Sequence, residues 1–148
     1  MNYLLDSNTL SDLYNASAPA HPKILQRLSM LTDTDKVCFS VLSLYEFEYG
    51  FANAPESKKL RIRQKIIQVQ KDFCCLPLTP QGAELFGLLK KSIKDLRNLN
   101  QENLKKHNID LMMISTAITE NCMLVSADKI FTDIQTVFAD LSTEDWTV

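Results

Sequence analysis

Apolar residues along this chain fall into two rhythms. The first is a set of short runs: Tyr3-Leu4-Leu5, then residues 37–41, 74–78 and 122–126. Runs of that length, bounded by polar or turn-forming residues, predict short buried strands. The second rhythm has helical spacing. Leu10, Leu13 and Tyr14 give residues 9–16 one apolar side. Pro22 suits a helix start, and Ile24, Leu25, Leu28 and Leu31 follow it at helical spacing. Ser43 is the expected cap of a helix carrying Leu44, Phe47 and Phe51, which places Glu46 in its first turn. A long helix opens at Glu56 or Ser57 and reaches about residue 73, with Lys58, Lys59, Arg61, Arg63 and Lys65 on its polar side. Thr79-Pro80 starts another, expected to run to about Leu99 with Leu85, Leu88, Leu89 and Leu96 inward. Residues 98–108 are polar and loop-like, whereas 109–120 are apolar nearly all round, the mark of a buried helix, with Asp110 in its first turn. A short helix around 130–133, a last strand near 136–138 and an edge strand in the tail complete the pattern.

Strands that alternate with helices predict an α/β fold with a mostly parallel central sheet, here short-stranded and rich in helix. The length of 148 residues is the usual size of one domain, so residues 1–148 are read as one unit. No stretch approaches the ~20 apolar residues that span a bilayer. The amino terminus has no basic segment ahead of its apolar run, which Asp6 interrupts, so no cleavable signal peptide and a cytoplasmic location are expected. The four cysteines (Cys38, Cys74, Cys75, Cys122) form no CxxC pair and lie in apolar surroundings, as buried reduced thiols do. His21 and His107 have no ligand-spaced neighbour, so a zinc site lacks support. With three glycines there is neither GxGxxG nor a phosphate-cradling loop, which lowers the case for nucleotide cofactors. The net charge of −2 hides a division: residues 58–106 hold twelve basic and four acidic side chains. That segment is either a set of solvated helix faces or the footprint of an anionic partner.

Four acids stand at related places in this pattern. Asp6 and Asp128 follow predicted strands, Glu46 falls in the helix after the second strand, and Asp110 opens the buried helix. Each alone could be a turn or helix-cap residue. Together they point to the carboxyl edge of a parallel sheet, where open α/β sheets bind ligands. Four carboxylates that converge repel one another unless a cation is present. Oxygen donors without nearby His or Cys suit a hard ion, Mg²⁺ or Mn²⁺. Two such ions about 4 Å apart can activate water against a phosphodiester. Ser7, Asn8 and Ser126, beside these acids, are candidates to orient a carboxylate, a water or a phosphate.

The motifs Tyr3-Leu4-Leu5-Asp6-Ser7-Asn8, Ser40-Val41-Leu42-Ser43-Leu44-Tyr45-Glu46, Asp110-Leu111-Met112-Met113-Ile114 with Ala117, and Leu124-Val125-Ser126-Ala127-Asp128 resemble those of the PIN-domain nucleases, and within them the small VapC-type ribonuclease toxins. Order and spacing match over nearly the whole chain. The resemblance implies a PIN-like three-layer α/β/α fold. It implies that Asp6, Glu46, Asp110 and Asp128 are the metal-binding catalytic set of a Mg²⁺-dependent endoribonuclease. It also implies an RNA substrate, a cognate antitoxin protein and a homodimer. The family often has Asn directly before the third acid; here Ile109 stands there, with Asn108 one place earlier. Two other readings stay open: a non-catalytic PIN-like module that binds RNA or protein, and a stand-alone PIN ribonuclease without an antitoxin. The basic stretch from Lys58 to Arg97 would steer RNA. The expected antitoxin surface is the groove between the helices around residues 10–14 and 44–51, where Leu13, Tyr45, Phe47, Tyr49 and Phe51 exceed the needs of one core face.

Overall fold

Five parallel strands in the order β3-β2-β1-β4-β5 form the centre of the computed structural model, which describes residues 1–98 and 100–148. They are β1 (Asn2–Leu5), β2 (Lys36–Ser40), β3 (Cys74–Leu76), β4 (Met123–Val125) and β5 (Ser142–Glu144). β1 lies between β2 and β4, with Leu4 opposite both Cys38 and Leu124. Successive strand side chains point to opposite faces, so each strand feeds two cores. Leu4, Cys38 and Leu124 enter one; Leu5, Phe39 and Val125 enter the other. Both faces are covered, which is why these strands read as unbroken apolar runs.

The helices divide between the two faces by their place in the chain. On the Leu5 face lie α1 (Ser7–Leu13), α2 (His21–Ser29), α3 (Val41–Asn53) and α4 (Glu56–Asp72), which contribute Leu10, Ile24, Phe47 and Ile66. On the Leu4 face lie α5 (Pro80–Arg97), α6 (Gln101–Lys105), α7 (Asn108–Thr119) and α8 (Lys129–Gln135), which contribute Leu89, Leu104, Ile114 and Ile130. The result is the three-layer α/β/α arrangement. The chain winds outward from β1 to β3, then crosses to β4 on the other side. That reversal opens a crevice past the carboxyl ends of β1 and β4, the place where doubly wound sheets bind ligands.

Several local expectations are corrected. Ser40, not Ser43, caps α3: its hydroxyl accepts from the Leu42 N–H at 3.1 Å, so the helix starts three residues earlier and Glu46 falls in its second turn. Residues 136–138 are not a strand. They end α8, and the N–H groups of Val137 and Phe138 bond back to the Ile134 carbonyl at 2.9 and 2.8 Å. The tail does supply the edge strand, β5, which pairs with β4. The polar stretch before α7 contains α6, capped by Asn100 and anchored by buried Leu104. In α5, Leu89 is core, but Leu88 and Leu96 are exposed. α5 ends at Arg97 with Asn98 in the left-handed conformation (φ 49°), a common way to close a helix; Leu99 lies outside the described residues.

Candidate active site

The carboxyl end of β1 turns directly into α1 through Asp6. Its Oδ1 accepts the Thr9 N–H at 2.8 Å, so the acid caps the helix and is fixed by it. Its Oδ2 accepts the Ser126 hydroxyl at the end of β4, and that hydroxyl accepts the Asp128 N–H at 3.0 Å. Asp128 in turn caps α8 through the Ile130 N–H at 3.0 Å. One serine thus ties the first acid to the loop that carries the fourth. Asp6 is almost wholly buried, and desolvation raises its pKa although hydrogen bonds from Ser126 and Thr9 oppose the rise.

A second chain of hydroxyls holds Glu46. Ser43, one turn earlier on α3, is fully buried, and its Oγ lies 2.8 Å from Ser7 Oγ. Ser7 donates to Glu46 Oε1 at 2.9 Å. Since Ser7 has a single proton to give, Ser43 is the donor in the first link. Asp110 enters from α7. Its carboxylate lies 4.0 Å from His107 Nδ1, one turn back. Its pKa is raised to about 6, first by burial and then by repulsion from Asp128, Asp6 and Glu46.

These acids share one cavity of about 340 Å³, lined by Asp6, Ser7, Asn8, Glu46, Asp110 and Asp128, with Lys106, Ile109, Met113 and Phe131 completing its wall. All four acids expected from the sequence therefore meet, and Ser7 and Asn8 line the same space. Ser126 does not line it; it sits behind Asp6 as its hydrogen-bond donor. Sequence reading missed two participants. Ser43 was assigned to the helix cap, and Lys106 was lost in a stretch read as loop. No local pattern marks Lys106, which lies between α6 and α7. Asn108, at the start of α7, has a buried amide oxygen without a hydrogen-bond partner.

The donor set fits a hard divalent cation. It is oxygen-only, and the pKa values of Asp6 and Asp110 are raised first by burial and then by neighbouring carboxylates, a combination that a bound cation would offset. Among the described residues, no three acidic, histidine or cysteine side chains are grouped into a ready cage for an ion. Mg²⁺ needs no such cage, because it keeps several of its waters and takes one or two carboxylates.

A family model described as the PIN domain matches residues 3–137, a stretch that reaches from β1 through β4 and holds all four acids. The chain belongs to the PIN domain family. No curated protein matches it. Solved structures share the fold of this PIN domain at low identity. VapBC-1 from nontypeable Haemophilus influenzae is 20% identical with a TM-score of 0.77, covering 100% of both chains. VapBC2 from Rickettsia felis, bound to a DNA fragment from their promoter, is 22% identical with a TM-score of 0.76, covering 99% of each chain. DNA-bound VapBC from Salmonella typhimurium is 17% identical with a TM-score of 0.75, covering 99% of this chain and 98% of its own. No helix among the described residues of this PIN domain is long and apolar enough to cross a membrane.

Proposed function

We propose that this PIN domain is a Mg²⁺- or Mn²⁺-dependent endoribonuclease of the VapC type, the toxin of a toxin–antitoxin pair. The observation that carries the reading is the meeting of four carboxylates from four separate elements in one cavity at the β1/β4 crevice. Asp6, Glu46, Asp110 and Asp128 would hold the cation, and Ser7, Asn8 and Ser126 would orient carboxylates or substrate. When bound, such a cation supplies stabilisation of the charge that builds on a phosphodiester under attack by water. The protein's own part is to keep its acids in place. Ser126 and the Thr9 N–H fix both oxygens of Asp6, and the Ser43–Ser7 relay aims Glu46 into the cavity.

The solved structures of similar fold are toxin–antitoxin complexes by description, which supports an antitoxin as partner here. The surface anticipated for it divides in two. Leu13 and Phe47 belong to the core, while Tyr45 and Tyr49 on α3 are exposed. A cavity of about 730 Å³ runs between the end of α1 and the middle of α4, past Tyr14, Ile62, Arg61 and Lys65. An antitoxin segment with an apolar face and acidic flanks suits that groove. The homodimer is likewise part of the reading.

The test is cleavage of labelled RNAs in Mg²⁺ and in EDTA, by the wild-type chain and by Asp6→Asn, Glu46→Gln, Asp110→Asn and Asp128→Asn, with circular dichroism as folding control. Loss in every acid variant and in EDTA is expected. Full activity of the Asp6 and Asp110 variants overturns the reading. RNA binding without any cleavage would favour the non-catalytic module. Co-expression with the adjacent small reading frame, followed by light scattering, tests partner and dimer. Active monomer with no companion would make the chain a stand-alone ribonuclease.

A further inference from the structure

Several basic side chains on this protein already have partners. Arg27, Lys59, Arg63 and Arg97 pair with Glu144, Glu56, Glu48 and Asp133. Lys59 and Arg63 also lie over the Phe51 ring, and Lys65 over Phe47. Much of the basic face of α4 is therefore engaged within the fold. Lys106 is the exception that matters chemically. It lines the cavity of the four acids, yet among the described residues it forms no ion pair with any of them.

The backbone that delivers Lys106 is fixed on both sides. Asn100 caps α6 by accepting the Asn103 N–H at 2.9 Å, and Leu104 is buried in the core of that face. Lys106 caps the carboxyl end of α6, with its N–H bonded to the Leu104 carbonyl. His107 then stands at the amino-terminal cap position of α7, and its carbonyl accepts the Leu111 N–H at 2.9 Å. Asp110 stands one turn further on. A fixed backbone with a flexible ammonium places a movable positive charge at the wall of the cavity that the four carboxylates share. A phosphodiester that enters such a cavity faces repulsion from four acids. It needs a cation on the far side, and a lysine serves as a compact point charge for phosphate.

We infer that Lys106 grips the RNA phosphate at the reacting position, contacting a non-bridging oxygen from the side opposite the acids. This rests on the nuclease reading of the same cavity. Lys106 acts as a fixed-sign partner; no proton transfer is assigned to it.

The test combines cleavage kinetics with RNA binding. Lys106→Met should lower kcat/KM about 10- to 100-fold, the range for losing a charge-assisted hydrogen bond, while Lys106→Arg retains most of the activity. Binding of a fluorescein-labelled single-stranded RNA, measured by anisotropy in the Asp110→Asn background, should weaken. Its dependence on salt should become shallower by about 0.7 in log–log slope, the value for one phosphate contact on a single strand. Unchanged kinetics and an unchanged slope in Lys106→Met overturn the inference. So does a variant whose salt slope is intact but which reaches full activity at lower Mg²⁺, because Lys106 would then only balance the acids. If the wild-type chain cleaves no RNA but binding still depends on Lys106, the phosphate contact stands and the nuclease reading falls.

Discussion

Replacing Asp110 with Asn should make the metal-free protein more stable. Among the described residues the Asp110 carboxylate makes no hydrogen bond that Asn would lose, and it lies 4.0 Å from His107 Nδ1. In the folded chain its pKa is about 6 against an ordinary value of 3.8. That displacement corresponds to about 3 kcal/mol between the charged and neutral forms. The side chain is 33% exposed, and solvent screening reduces the effect to about 1–2 kcal/mol. The sign follows from linkage. Below pH ~4 the carboxyl is protonated in both folded and unfolded chains and carries no penalty. Between about pH 4 and pH 6 the unfolded chain ionises while the folded chain still holds its proton, so stability falls across that window and levels off above it. The gain from Asp110→Asn is therefore absent near pH 4 and complete above pH ~7. For a chain of this size it should raise Tm by about 3–6 °C at pH 8. The measurement is thermal and urea unfolding in excess EDTA at pH 4 and pH 8, followed by the same scans in Mg²⁺. Added Mg²⁺ should stabilise the wild type and have little effect on the variant. An unchanged or lower Tm for the variant at pH 8 in EDTA, or an equal gain at pH 4, refutes the electrostatic account of this site.

Three further outcomes are expected. Ser7→Ala should lower nuclease activity about 10- to 100-fold without unfolding the protein, since it frees Glu46; RNA-cleavage kinetics beside circular dichroism will show it. Ser43→Ala should have a smaller effect on activity and cost about 1 kcal/mol in urea unfolding, because a buried hydroxyl that holds Ser7 is lost. Trp146→Ala should cost about 3–5 kcal/mol by the same measure. Its ring is buried against Tyr3, and its Nε1–H donates to Glu144 at 2.7 Å, a carboxylate that Arg27 also holds.

The parts of this fold that the sequence discloses are those whose signal is local. Buried parallel strands need apolar side chains on both faces, so β1, β2 and β4 stand out as runs. Thr79-Pro80 is a helix start because cap and first turn are adjacent in sequence, and the Gly82 N–H does bond to Thr79 Oγ1 at 3.0 Å. The acids were found because each follows such an element. What was missed depends on partners distant in sequence. The edge strand expected in the tail has no apolar run to place it; Ser142–Glu144 is the strand because β4 offers an open edge there. Val137 and Phe138 look like strand residues, yet their N–H groups turn back to Ile134. Ser40 and Ser43 are equally good caps by type. Position decides between them, since Ser40 ends a strand beside the crevice while Ser43 points into the interface with Ser7.

The same distinction separates the acids from the residues that serve them. A carboxylate past a strand end is a local pattern, but its orientation is not. Asp6 is held by a serine 120 residues away, and Glu46 by one 39 residues away. Lys106 lines the cavity of the acids at the end of α6, a short helix that Leu104 anchors in the core. The chemistry that a cluster of acids can perform depends on such supports, since four unsupported carboxylates would splay apart under their own repulsion. Variants of Ser7, Ser43 and Lys106 therefore probe the site more finely than removal of an acid, which abolishes charge and geometry together. If the supports matter as described, their loss should change kinetics by graded factors while the fold and all four acids remain.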